Sequence, residues 1–300
     1  MTVRETGRDA LWRVEAGVLA AAVWVMRALG LRAASAVGGA LARTVGPWLP
    51  VSRVAHENLR RAMPELDTTA RRRVVRGVWD NLGRTVAELP HVGGLAETDA
   101  GPGFEGVGLE HFDAVVARGG PVLLISGHLG NWEALPVASQ LHGLPFGSFY
   151  RAPPNPYIDA MLKRLRGGVT GSTTPLFAKG AVGARQAMAY FRAGGTLGIL
   201  FDQKANDGIA ATLFGRPAMT SSAAAVFALR SKCPVLFCWS VRLGPGRFRV
   251  VVLPPETLPD TGDRTTDALA LTQTLNDRLE AAIRAHPDQW LWLHRRWPKD

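Results

Sequence analysis

Along the middle of the chain, apolar residues recur first at a helical period and then in short unbroken runs. Between Thr69 and Glu88 the positions Val74, Val75, Val78, Leu82 and Val86 fall on one helical repeat, after a Thr68/Thr69 pair suited to capping. A shorter helix is predicted just before it, over His56–Met63. Further on, a helix over Leu109–Ala117 leads through Arg118-Gly-Gly into Pro121–Ser126, an apolar run typical of a buried parallel strand. The unit repeats as helix Ala181–Arg192 with strand Thr196–Phe201, and as helix Ser222–Arg230 with strand Pro234–Val241. Arg247–Leu253 reads as a hairpin partner strand. Thr265–Ala285 reads as a last amphipathic helix with Leu269, Leu275, Leu279 and Ile283 on one side. This alternation predicts an α/β sheet covered by helices. No linker or internal repeat divides it, so residues 51–300 are read as one domain behind an N-terminal helical segment, residues 1–50.

That first segment has a different pattern. Leu11–Leu31 is almost wholly apolar, but its charge-free part, Ala16–Met26, falls short of the ~20 residues that span a bilayer. A second apolar, Ala/Gly-rich stretch follows at Ala33–Leu49. Arg13 and Glu15 interrupt what a signal peptide would keep clean. A helix lying in, or shallowly inserted into, an anionic membrane surface fits better, and an ordinary buried first helix is the alternative.

Charge sharpens this choice. The chain of 300 residues carries a net +10 and is 47% apolar, which excludes a disordered chain and predicts an anionic partner. Residues 1–90 hold fourteen arginines, no lysine and eight acidic residues, so +6 of that charge sits beside the most apolar segment. Charge in that position favours a membrane over nucleic acid. Two cysteines, Cys233 and Cys238, exclude a disulfide scaffold or a multi-cysteine metal site, and five-residue spacing points them to opposite faces of a strand.

The candidate chemistry lies beyond the carboxyl ends of the predicted strands, where open α/β sheets place their sites. The first strand runs into Gly127-His128-Leu-Gly-Asn-Trp-Glu133. His128 and Glu133 can meet if His128 lies on the turn and Glu133 in the first coil of the next helix, with Gly130 and Asn131 shaping the turn. A carboxylate so placed holds one imidazole nitrogen and leaves the other as a general base. Asp202 ends the second strand, either as a site residue or as a cap. Arg151 stands in the extended segment Phe149–Tyr157, ahead of a predicted helix, Ile158–Leu165, whose basic side includes Lys163, Arg164 and Arg166. Asp99–Gly108 reads as a Gly-rich loop; its Gly101–Gly106 stretch formally matches GxGxxG but lacks a preceding strand and contains Pro102, so it is rejected as a dinucleotide site. There is no GxSxG elbow, no cysteine in a catalytic setting and no HExxH spacing. A covalent acyl-enzyme and a metal are not indicated.

Several blocks occur in an order that resembles the bacterial lipid A biosynthesis acyltransferases. His128-Leu-Gly-Asn-Trp-Glu133 resembles that family's HX4(D/E) motif, Tyr150-Arg151 with Asn155-Pro156 its arginine block, and Asp202-Gln203 its DQ block. Phe214–Thr220, Pro287–Arg296, Asn58–Pro64 and Asn81–Glu88 resemble further blocks. The resemblance implies an αβα sandwich of the glycerolipid-acyltransferase type, with an N-terminal membrane-associated segment, at the cytoplasmic face of the bacterial inner membrane. It implies transfer of a fatty acyl group from acyl carrier protein to a hydroxyl of a lipid A precursor, without cofactor beyond the thioester. By position the resemblance makes His128 the general base and Glu133 its orienting partner, while Arg151 and Asp202 match residues the family needs for activity and are expected to bind substrate. The sequence departs from many relatives in Lys204-Ala-Asn-Asp207, which bears on acceptor contacts. Lys163, Arg164, Arg166, Arg295 and Arg296 are expected to face acidic partners. The alternatives are an acyl-CoA-dependent enzyme acting on another glycolipid or lysophospholipid such as a phosphatidylinositol mannoside, a thioesterase, and a non-enzymatic basic protein of membranes or nucleic acid. Nucleic acid is not expected as a partner.

Overall fold

The computed structural model describes residues 3–167 and 175–298. Its first helix, α1 (Val3–Val45), leaves helical geometry at Gly30, where φ is 74° and two helical lengths meet. Leu11, Val14, Val18 and Trp24 on the first length are 58% to 70% exposed, and Gly7–Trp48 is long and apolar enough to cross a membrane. The second length packs on α3 (Thr68–Glu88), after α2 (Ser52–Ala62). Gly38 and Gly83 meet there: a Cβ built on Gly83 would lie 2.2 Å from the Gly38 carbonyl oxygen, so only glycine permits this approach. The cap of α3 is Asp67, whose carboxylate accepts from the Ala70 N–H, rather than the Thr68/Thr69 pair.

The remaining elements are β1 (Gly103–Val107), α4 (Glu110–Arg118), β2 (Val122–Ser126), α5 (Leu135–Leu141), β3 (Phe146–Tyr150), α6 (Pro156–Gly167), β4 (Leu176–Ala178), α7 (Ala181–Arg192) and β5 (Thr196–Leu200). Then follow β6 (Ile209–Leu213), β7 (Arg216–Thr220), α8 (Ala223–Ser231), β8 (Val235–Gly244), β9 (Arg247–Val252) and α9 (Arg264–Ala285). Seven strands form one sheet in the order β1-β9-β8-β2-β5-β3-β4, parallel except for the β8–β9 hairpin. The two-residue connection Phe214-Gly215 joins β6 to β7, and both residues have positive φ, as such tight hairpins require.

Strand alternation divides the core into two layers. Leu123 and Ile125 of β2 pack with α7, α8 and α9, while Val122 and Leu124 pack with α4 and α5. Helices therefore cover both faces, which makes the αβα sandwich. Cys233 and Cys238 fall in opposite layers, and burial pushes their thiols up to about 11 and about 12.

Three sequence expectations need correction. Gly103–Val107 is an edge strand beside β9 rather than a loop, because its backbone pairs are supplied by a strand far along the chain. On α9 the buried position is Leu271, while Leu269 is 43% exposed. Val86 faces outward, because the buried flanks of α3 pack against α1 and the turn Pro287–Gln289 instead.

Candidate active site

Residues Ser126 of β2 and Leu200 of β5 are partners in adjacent parallel strands. The Phe201 N–H donates to the Ser126 carbonyl at 3.0 Å, so the pairing continues one residue further. His128 and Asp202, each two residues past those partners, are thereby delivered to the same spot. The Asp202 carboxylate accepts from His128 Nδ1 at 2.8 Å through Oδ1 and from the His128 backbone N–H at 2.8 Å through Oδ2. The same Oδ2 accepts from Trp290 Nε1 at 2.7 Å. Ring and backbone of the histidine are thus tied to one carboxylate. With Nδ1 donating, Nε2 is the basic nitrogen. Trp132 stands edge-on to the imidazole, with ring centroids 5.0 Å apart.

Burial works against a charged His128, but the charge and hydrogen bond of Asp202, with the nearby charge of Glu133, outweigh it and hold the imidazole above its usual range. Asp202 has no exposed surface, and burial alone would raise its carboxyl. The charge of His128, the hydrogen bonds from His128 and the proximity of His294 hold it below the usual carboxylate range instead.

The expected partnership of His128 with Glu133 is corrected by this geometry. Glu133 lies in the single 3-10 turn Trp132–Ala134, where Asn131 Oδ1 accepts its N–H at 3.1 Å. Its carboxylate turns to α6 and pairs with Arg166, at 2.5 Å from Oε1 and 3.1 Å from Oε2. The short turn aims Glu133 sideways, and the strand register brings Asp202 to the ring from 74 residues away. Asp202, expected to contact substrate, is fully buried, with both oxygens engaged by His128 and Trp290.

Arg151 is the first residue after β3, exposed at the same carboxyl edge of the sheet, with no hydrogen bond to His128, Glu133 or Asp202. Lys163 pairs with Asp159 at 2.8 Å, Arg164 is exposed, and Arg295 is 49% exposed and 3.7 Å from Glu57. Arg296 departs from expectation: it is fully buried, donating to the Met219 carbonyl at 2.9 Å and to Thr220 Oγ1 at 2.6 Å. Burial pushes its guanidinium down to about 10, opposed in part by Asp202. It therefore belongs to the floor of the site, not to a docking face.

The sequence reading passed over Trp290 and His294. The tail bridges to the turn that carries His128, between Leu129 and Trp290, and His294 Nε2 lies 3.3 Å from the Asp202 carbonyl oxygen. Three tryptophans within eight residues, Trp290, Trp292 and Trp297, were the available signal that this tail is core. Among the described residues, no group of three or more His, Cys, Asp or Glu is placed to hold a metal ion.

A family model described as bacterial lipid A biosynthesis acyltransferase matches residues 7–299. The chain belongs to that family. It is also similar to the lipid A biosynthesis lauroyltransferase of Escherichia coli (strain K12), 24% identical over 251 residues that cover 82% of this chain and 78% of that one. This lipid A biosynthesis acyltransferase is therefore an enzyme. Its His128–Asp202 pair sets a histidine ring, fixed through Nδ1, against a fully buried carboxylate.

Proposed function

We propose that this acyltransferase moves a fatty acyl chain from an acyl carrier protein thioester to a hydroxyl of a lipid A precursor, the secondary acylation step of lipopolysaccharide biosynthesis. It works at the cytoplasmic face of the bacterial inner membrane. The observation that carries the chemistry is the hydrogen bond from His128 Nδ1 to buried Asp202, because it dedicates Nε2 to taking a proton. The acceptor oxygen attacks the thioester carbonyl carbon while its proton passes to Nε2, and the new C–O bond forms. The tetrahedral oxyanion then collapses, the C–S bond breaks, and the proton passes from the imidazolium to the departing thiolate. Asp202 stabilises the imidazolium between these steps. The reaction needs no metal or redox group. Glu133 adds negative charge near the ring.

Partners are supported by charge and exposure. Arg151 and Arg164 at the exposed edge, with Arg295 on the tail and the net +10, suit an acidic carrier protein and phosphorylated lipid. The exposed apolar first length of α1 suits an anionic membrane surface.

The test offers acyl carrier protein and CoA thioesters of several chain lengths to a tetraacylated lipid A precursor in detergent. Wild type should acylate the lipid with the carrier-bound donor preferred, and His128→Ala should lose about 10²–10⁴-fold in rate. Preference for CoA would overturn the donor assignment. Release of free fatty acid without any acylated lipid would make the protein a thioesterase. His128→Ala acting as well as wild type would remove His128 from the reaction.

A further inference from the structure

The turn that carries His128 is gripped from below by a buried polar cluster that the transfer chemistry does not use. Glu88, at the end of α3, has no exposed surface and accepts from Asn131 Nδ2 at 2.8 Å and from the Gly246 N–H at 3.3 Å. It also pairs with Arg242 of β8, whose side chain is 7% exposed. Arg242 in turn donates to Asn81 Oδ1 at 2.8 Å and to Thr85 Oγ1 at 3.1 Å. Asn81 Nδ2 and Thr85 Oγ1 donate to the Gly130 carbonyl at 2.8 Å and 3.2 Å. Gly130 has φ near +57°, and a Cβ there would lie 2.1 Å from the Ser240 carbonyl oxygen, so the turn sits hard against β8.

Asn131 is the residue through which this cluster reaches the Glu133 end of the turn. Its Nδ2 is spent on Glu88, while its Oδ1 accepts the Glu133 N–H. Asn131 is three residues from His128 and two from Glu133, and it is fully buried. A charged acceptor buried on one side and a turn N–H on the other leave its amide one orientation, and hydrogen bonds to charged groups are the stronger kind. We infer that Asn131, locked by Glu88 and Arg242, is a positioning residue that fixes where the carboxylate of Glu133 stands relative to the imidazole of His128. The inference rests on His128 being the base.

The rest of α3 is consistent with an anchor. Its Asn81, Thr85 and Glu88 face the turn, while Asp80, Gly83 and Arg84 on other flanks hold the second length of α1. The turn is therefore fastened to the most extensively packed helix pair of the N-terminal region.

The experiment compares wild type, His128→Ala, Asn131→Ala and Asn131→Ser in acyl transfer over a range of pH, with thermal unfolding as the check on folding. Asn131→Ser keeps a capping hydroxyl for Glu133 but cannot reach Glu88, so it serves should the alanine variant fail to fold. Misplacement by about 1 Å is expected to lower kcat by about 10- to 100-fold with KM for the thioester within about twofold. As the negative charge of Glu133 moves away from the ring, the acid limb of the pH–rate profile should shift to lower pH. A loss of packing alone would not move that limb. A folded variant that keeps kcat within about twofold, or loses activity with the limb unmoved, overturns the inference. If His128→Ala is as active as wild type, the base assignment itself falls and takes this inference with it.

Discussion

The turn carrying His128 and the edge carrying Arg151 both stand at carboxyl ends of strands in one sheet, yet they are built in opposite ways. At the turn, the histidine ring and its backbone N–H are both bonded to one fully buried carboxylate, and Gly130, Asn131 and Leu129 are each tied to distant elements. At the edge, Arg151 is exposed and α6 contributes no buried residue at all. Preset groups lower a barrier because their reorganisation is completed on folding, whereas an exposed basic edge meets partners of varied shape through screened charge. The proposed chemistry and the proposed recognition are therefore separated along the sheet edge. Among the described residues, Arg166 links them, reaching from α6 to Glu133.

The most severe way to break this comparison is to leave the shape of the preset side intact and remove its charge. Asp202→Asn should lower kcat by about 10²–10⁴-fold, as loss of an orienting carboxylate does in other histidine-based sites. The sign of its pH effect is fixed. A base acts when neutral, so activity falls as pH drops through the raised value of His128, and removing the negative charge that raises it moves this acid limb to lower pH. A kcat/KM profile whose limb stays in place would show that Asp202 does not act on the ring.

A smaller effect, of opposite sign, is expected at the link. Arg166→Ala leaves the carboxylate of Glu133 without its cation, so more of its negative charge acts on His128 and the limb should shift to higher pH. Activity should drop by about tenfold as Glu133 loses its fixed position. Kinetics across pH on the folded variant measure both.

The smallest change belongs to the exposed edge. Arg151→Ala should raise KM about fivefold with kcat within about twofold and an unchanged melting temperature, since a rim charge acts on encounter rather than on chemistry. The KM increase should shrink as salt is added. A fall in kcat as large as that of Asp202→Asn would erase the distinction between the two regions.

How much of this was legible depends on the range of the signal. The helix Ala181–Arg192 and the strands beginning near Val122, Thr196 and Val235 were readable because apolar periodicity is local. His128 was readable because it directly follows an apolar run between glycines. The strands Phe146–Tyr150 and Leu176–Ala178 were not, because each is short and takes its place only from the neighbour it pairs with. Leu271 was missed in favour of Leu269 because both are leucines within one turn of α9, and only the docked helix distinguishes the side that is buried.

Taken alone, the sequence determined the alternation of helices and strands, the apolar N-terminal segment, the strand-end histidine and the blocks that place the chain in its family. Those properties are written in neighbouring residues, and local sterics and periodicity read them out. Tertiary structure alone decided which carboxylate meets the imidazole. Glu133 was nearer in sequence, but parallel pairing of Ser126 with Leu200 delivers Asp202, and a short turn carries Glu133 off to Arg166. It likewise turned Arg296 from a presumed surface contact into a buried floor, since the tail that bears it packs its tryptophans beneath the site. Register between distant strands is a property of the whole sheet, and no window of adjacent residues contains it.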